Sequence, residues 1–204
     1  MTIEVRPAAV DSATLRLQIQ EKYTEVALAP EAGFHFHTGR SLALMLDYAA
    51  AAIDSLPSGS VGSFAGTGNP FSMGSLNLGE TVLDVGCGAG LDTLIAAQQV
   101  GAAGRVIAVD MTDAMLEQAS AAVSEMGITN IDLRKGMAED LPVAAQSVDV
   151  AISNGVINLC PDKVAVMTDI YRVLRPGGRV QIADIIVHKE VPQDAKDNID
   201  LWSG

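Results

Sequence analysis

The chain has 204 residues, 49% of them hydrophobic, which is enough for one well-filled core. Thirteen Lys and Arg against 25 Asp and Glu give a formal net charge of −12, a field that repels a phosphate backbone, so no nucleic-acid partner is expected. The two cysteines, Cys87 and Cys160, lie far apart with no CxxC-type spacing, and no apolar run reaches bilayer length, so the expectation is a cytoplasmic protein with no disulfide framework, zinc site or membrane partner.

The first part of the chain predicts helices without strands. Asp11 or Ser12 is placed to cap a helix whose apolar positions Leu15, Ile19, Tyr23 and Val26 recur at helical spacing. A second, alanine-rich helix is predicted over residues 41–56, with residues 30–40 as the loop between them. From Pro57 a glycine-rich stretch runs to about Pro70, of a kind that can fold over a ligand. From Leu76 onward short β-branched runs alternate with helical ones. Strands are predicted over 81–85, 105–110, 130–134, 148–153 and 179–186, and helices over 91–100, 113–126 and 162–174. Such alternation predicts an α/β fold with a mostly parallel sheet. The expected division is a helical cap with its glycine-rich loop, residues 1–75, and a core, residues 76–204. Residues 174–179 read as a helix stop and turn. One short helix is predicted over 193–202, and no strand candidate follows it.

The strand Thr81-Val82-Leu83-Asp84-Val85 runs into Gly86-Cys87-Gly88-Ala89-Gly90. Ligands of open parallel sheets sit at the carboxyl ends of strands, where glycine lets the backbone turn sharply and come close. Dinucleotide-binding loops have the spacing G-x-G-x-x-G, and the position that would complete it here is Leu91. The spacing is G-x-G-x-G instead. An acid at Asp84 suits the cationic aminopropyl arm of S-adenosylmethionine better than a pyrophosphate. Asp110 ends the second strand where a ribose would lie and could accept both of its hydroxyls. An acid in that place can also cap the next helix, a task for which Asp113 is available.

These residues, together with Val109-Asp110-Met111-Thr112, Gly136-Met137-Ala138-Glu139-Asp140-Leu141-Pro142, Val148-Asp149-Val150-Ala151-Ile152-Ser153-Asn154 and Leu174-Arg175-Pro176-Gly177-Gly178-Arg179, resemble the motif series of class I methyltransferases. From about Gly66 to Gly204 the chain is similar to the arsenite methyltransferases and their relatives, through Gly66-Thr67-Gly68-Asn69-Pro70 and the segment from Ser153 to Lys163. The resemblance implies a Rossmann-like class I sheet with S-adenosylmethionine as cofactor and S-adenosylhomocysteine as product. By it, Asp84, Gly86, Cys87, Gly88, Gly90, Asp110 and Met111 hold the cofactor, Met137, Ala138 and Glu139 flank the adenine, and Asn154, Gly155 and Val156 line the methyl-donor pocket. Related domains continue with two more strands, so the core is expected to be incomplete at its carboxyl-terminal side, with an exposed sheet edge that either a homodimer or a truncated chain would explain.

Two departures bear on the acceptor. The family binds trivalent arsenic through thiolates, soft ligands for a soft centre, and has cysteines where this chain has Thr67 and Gly155. A further family cysteine follows the segment matching residues 201–204. The resemblance therefore implies a small-molecule methyl acceptor other than arsenite. The strand-four segment Ser153-Asn154-Gly155-Val156 also lacks the Pro-Pro-aromatic sequence of enzymes that methylate nucleic-acid amino groups. Alternatives are a cofactor-binding protein without turnover and a fragment of a longer arsenite-type enzyme.

Few side chains need be catalytic, because the sulfonium already activates the methyl group. If a base is required, His35, His37 and Glu139 are the candidates. An extended segment would put both imidazoles on one side, as part of a lid over the substrate. Two histidines do not make a metal site, and His188 lies far along the chain, so no metal is expected. Tyr23 and Tyr48 read as core or cap residues, and Cys87 as a small packing residue inside the loop. Phe64, Phe71 and Met73 either wall a pocket or bury the loop against the sheet.

Overall fold

The computed structural model describes residues 11–186 and 188. Five parallel strands form one sheet in the order β3-β2-β1-β4-β5: β1 Thr81–Val85, β2 Arg105–Asp110, β3 Ile131–Lys135, β4 Val148–Asn154 and β5 Leu174–Ala183. The central run of β1 is apolar and β-branched, and its residues from Val82 on are buried, as expected of a strand covered on both faces. The chain steps outward from β1 to β2 and β3, then returns to the other side of β1 for β4 and β5. That reversal opens a cleft at the carboxyl ends of β1 and β4.

Three helices connect the strands: α5 Leu91–Val100, α6 Asp113–Met126 and α7 Lys163–Val173. Leu83, Val85, Ile107, Val109, Val148 and Ala151 pack with Val166, Ile170 and Val173 of α7 on one sheet face, and Val82, Val106, Val150 and Ile152 pack with Ala96, Ala97 and Val100 of α5 on the other. Each fully buried Val, Leu or Ile contributes roughly 1.5–3 kcal/mol by leaving water. The strand predicted over 179–186 is shifted. Leu174 pairs with Val148 and Arg179 with Val150, so the expected turn bulges out within β5 and pairing ends at Ala183.

Among the described residues four α-helices precede the sheet: α1 Ser12–Leu28, α2 Gly39–Met45, α3 Ala50–Asp54 and α4 Ser58–Gly62. The Asp11 carboxylate caps α1 by accepting from the Thr14 amide at 2.9 Å, as its sequence position predicts. The single helix expected over 41–56 is two helices. Asp47 takes a left-handed φ of 61°, which ends α2 and turns Tyr48 inward to a buried position. An aspartate tolerates that conformation better than most residues, and alanine periodicity gives no sign of it. The stretch expected as loop from Pro57 contains α4, with Val61 and Phe64 in one cluster with Leu42, Tyr48, Leu91 and Leu94. The predicted helix over 193–202 lies outside the described residues.

Candidate functional site

A single cleft collects most of the residues singled out by the sequence. Asp84, Gly86, Cys87, Gly88, Asp110, Met111, Ala138, Glu139, Asn154, Gly155 and Val156 all line it, at the carboxyl ends of β1, β2 and β4 and just after β3. The geometry requires glycine at position 86. Its φ is +73°, and a Cβ there would lie 2.3 Å from Val156 Cγ2. Gly90 does not line the cleft; it caps the amino end of α5. Met137 is 41% exposed and also lies off the wall.

Three carboxyl groups share this cleft, Asp84 and Asp92 buried and Asp110 half-buried. Thr93 Oγ1 donates to Asp84 Oδ2 at 2.5 Å. Burial, reinforced by repulsion from Asp92, pushes the Asp84 carboxyl up to about 8 against that hydrogen bond. Asp92 is pushed up to about 6 by burial, opposed by hydrogen bonds from Tyr48 and Asn154. Asp110 is raised by burial although the amides of Gly88 and Thr112 donate to its two oxygens at 2.9 and 2.8 Å. Among the described residues no lysine, arginine or histidine forms an ion pair with any of the three. A ligand carrying positive charge, with hydroxyls for the free lone pairs of Asp110, therefore fits this set of acceptors. An anionic one does not. S-adenosylmethionine, a nucleoside sulfonium with an ammonium arm, has that chemistry.

Residues from the helices before the sheet close the cleft. Arg16, Ile19 and Tyr23 of α1 line it, as do Ser60, Ser63, Phe64, Ala65 and Gly66. Arg16 Nη2 donates to Glu139 Oε1 at 3.0 Å and Gln20 Nε2 to the Met111 carbonyl at 3.0 Å, so α1 is fixed across the ends of β2 and β3. Glu139 thus enters the site paired with a cation. His35 and His37 are exposed and absent from the cleft wall. His35 packs edge-on against Phe36, which stacks with Phe34 and Tyr23. Of the three aromatic or sulfur side chains weighed for the pocket, Phe64 lines it, Phe71 packs edge-on with Tyr48, and Met73 is exposed.

The glycine-threonine segment before β1 is stitched to the end of β4. Asn154 Oδ1 accepts from the amides of Thr67 and Gly68 at 2.8 and 3.1 Å, while its Nδ2 donates to Gly68 O, Tyr48 Oη and Asp92 Oδ2 at 2.9–3.0 Å. Tyr48 Oη donates in turn to Asp92 Oδ1 at 2.5 Å. Thr67 and Gly155 face each other: a Cβ on Gly155 would lie 3.0 Å from Thr67 Cγ2. Cys160 is also on the cleft wall, and burial pushes its thiol up to about 12. Among the described residues no group of three or more His, Cys, Asp and Glu side chains could hold a metal ion, and no helix is long and apolar enough to cross a membrane.

Asp92, Ser60 and Arg16 were not expected in the site. Asp92 follows the last glycine by two positions, where an acid reads as an ordinary complement to the helix dipole. Ser60 and Arg16 come from segments with no motif.

A sequence model of the methyltransferase-domain family matches residues 76–203. The chain is 48% identical, over 68% of its length, to an arsenite methyltransferase of Halobacterium salinarum, of which it covers 36%. It is 40% identical, over 53% of its length, to a demethylmenaquinone methyltransferase of Lactococcus lactis, of which it covers 42%. A solved arsenic(III) S-adenosylmethionine methyltransferase of Chlamydomonas reinhardtii superposes with a TM-score of 0.66 at 37% identity, covering 71% of this chain and 51% of that one. The chain thus spans about a third to a half of the length of these relatives. With its parallel sheet and acidic cleft, it belongs to the methyltransferase-domain family of the class I, S-adenosylmethionine-dependent type, and is similar in particular to arsenite methyltransferases.

Proposed function

We propose that this chain binds S-adenosylmethionine in the cleft and transfers its methyl group to a small molecule other than arsenite. The observation that carries the cofactor assignment is the trio Asp84, Asp92 and Asp110 around one cavity, the first two buried and the third half-buried, without a cationic partner among the described residues. In this reading Asp110 holds the ribose hydroxyls, Asp84 faces the positively charged arm, and Ala138 and Glu139 border the adenine. Asn154, Gly155 and Val156 stand beside the transferable methyl. The bound cofactor supplies a methyl carbon made electrophilic by its sulfonium. The protein's part is to align an acceptor with that carbon and to keep water out, a contribution of up to roughly 7–11 kcal/mol. α1 and α4 cover the cleft and suit that second task.

The acceptor part of the proposal follows from the thiols. A soft trivalent arsenic centre calls for several thiolates. At the facing positions where the resemblance puts cysteines, this chain offers a hydroxyl and no side chain, Thr67 and Gly155. Burial raises the remaining cleft thiols, Cys87 and Cys160, and so keeps both protonated at neutral pH. Titration with S-adenosylmethionine, followed by incubation with arsenite and a thiol reductant, tests both parts. Cofactor binding without methylated arsenic is the expected result. Methylated arsenic would overturn the acceptor assignment, and no cofactor binding at millimolar concentration would overturn the whole.

A further inference from the structure

Two buried polar atoms of cleft-lining residues stand without a partner among the described residues, Arg16 Nε and Ser60 Oγ, and of the two side chains only that of Arg16 is bonded elsewhere, through Nη2 to Glu139. Ser60 is fully buried, and its Oγ makes no hydrogen bond among the described residues. A hydroxyl in that state has given up its bonds to water for nothing, which destabilises the fold unless a ligand completes it. Ser60 of α4 lines the same cavity as Leu91 and Asp92 in the first turn of α5, and its neighbours Val61 and Phe64 share one cluster with Leu91 and Leu94. That turn carries Asp92, whose two oxygens accept from Tyr48 Oη and Asn154 Nδ2 and each keep a second lone pair. The first-turn amides of α5 have no acceptors within the helix and favour an anionic group near them. A hydrogen-bond donor and helix amides therefore lie on the same wall as a buried anion held by two donors. Opposite charges at one atom's separation are the signature of an α-amino acid.

We propose that Ser60 and Asp92 form a subsite for the α-amino-acid end of the ligand. The Ser60 hydroxyl donates to the α-carboxylate, and the Asp92 carboxylate accepts from the α-ammonium. This rests on the cofactor assignment made under Proposed function and deepens it. It also gives the helices before the sheet a part in recognition, since Ser60 belongs to α4.

The test compares S-adenosylhomocysteine with 5′-methylthioadenosine, both neutral at sulfur, of which only the first carries the amino-acid end. Each is titrated calorimetrically into the wild type, Ser60→Ala and Asp92→Asn. The wild type is expected to bind S-adenosylhomocysteine at least about tenfold more tightly. Each variant is expected to lose about tenfold toward it, the worth of one hydrogen bond to a charged group, and to bind methylthioadenosine as the wild type does. Because the serine hydroxyl has no partner in the protein, ligand-free Ser60→Ala should melt no lower than the wild type. Equal losses toward both ligands, no loss toward either, or a lower melting temperature for ligand-free Ser60→Ala would each overturn the subsite. Binding of neither nucleoside by the wild type would overturn the cofactor assignment itself.

Discussion

Asp84 is the residue on which the chemistry of the cleft turns. Its carboxyl is buried beside Asp92 and lies at about 8, far above the value of about 3.9 it has in an unfolded chain. A carboxyl raised by folding adds stability below its unfolded value and takes it away as pH rises through its folded one. Without cofactor, the stability of the wild type should therefore fall between about pH 4 and pH 8. Asp84→Asn should flatten that slope, since an amide oxygen can still accept from Thr93. Urea unfolding across this range measures both, and an unchanged slope in the variant would show that Asp84 does not titrate there. Tyr48 gives a second prediction at this scale. Its hydroxyl bonds both Asp92 and Asn154, so Tyr48→Phe leaves a buried carboxylate short of a donor and should cost about 1–3 kcal/mol in the same assay.

At the scale of elements, residues of α1 and α4 close the cleft. α4 has five residues and packs on α2 and α6, and Ser60, Ser63, Phe64, Ala65 and Gly66 border the cavity. Amide exchange across residues 58–66 should slow on addition of S-adenosylhomocysteine, while that of β1 and β4, already buried, should change little. Equal slowing everywhere would point to global stabilisation alone. These helices were also the least legible part of the sequence. The strands and helices after Leu76 declare themselves through β-branched runs and helical periodicity, and the glycine spacing announces both the turn after β1 and the class of ligand. Asp47, by contrast, breaks a helix through a backbone angle that no periodicity encodes. The Tyr48-Asp92-Asn154 network joins residues 44 and 62 positions apart, so only the fold brings it together. The pairing of Glu139 with Arg16, 123 positions away, was hidden for the same reason, as was the exposure of His35 and His37.

For the molecule as a whole, the decisive quantity is the charge imbalance around one cavity. Saturation with a cationic nucleoside stabilises the folded state by mass action, about 2.7 kcal/mol at a hundred times the dissociation constant. It should also release protons near neutral pH, because a cation beside Asp84 lowers a carboxyl that is otherwise protonated there. Calorimetric titration of the wild type with S-adenosylmethionine at pH 7, in two buffers of different ionisation enthalpy, measures binding and proton release together. Binding with net proton release is expected, and weaker binding with diminished release in Asp84→Asn. Binding that moves no proton and is indifferent to Asp84→Asn would contradict that expectation.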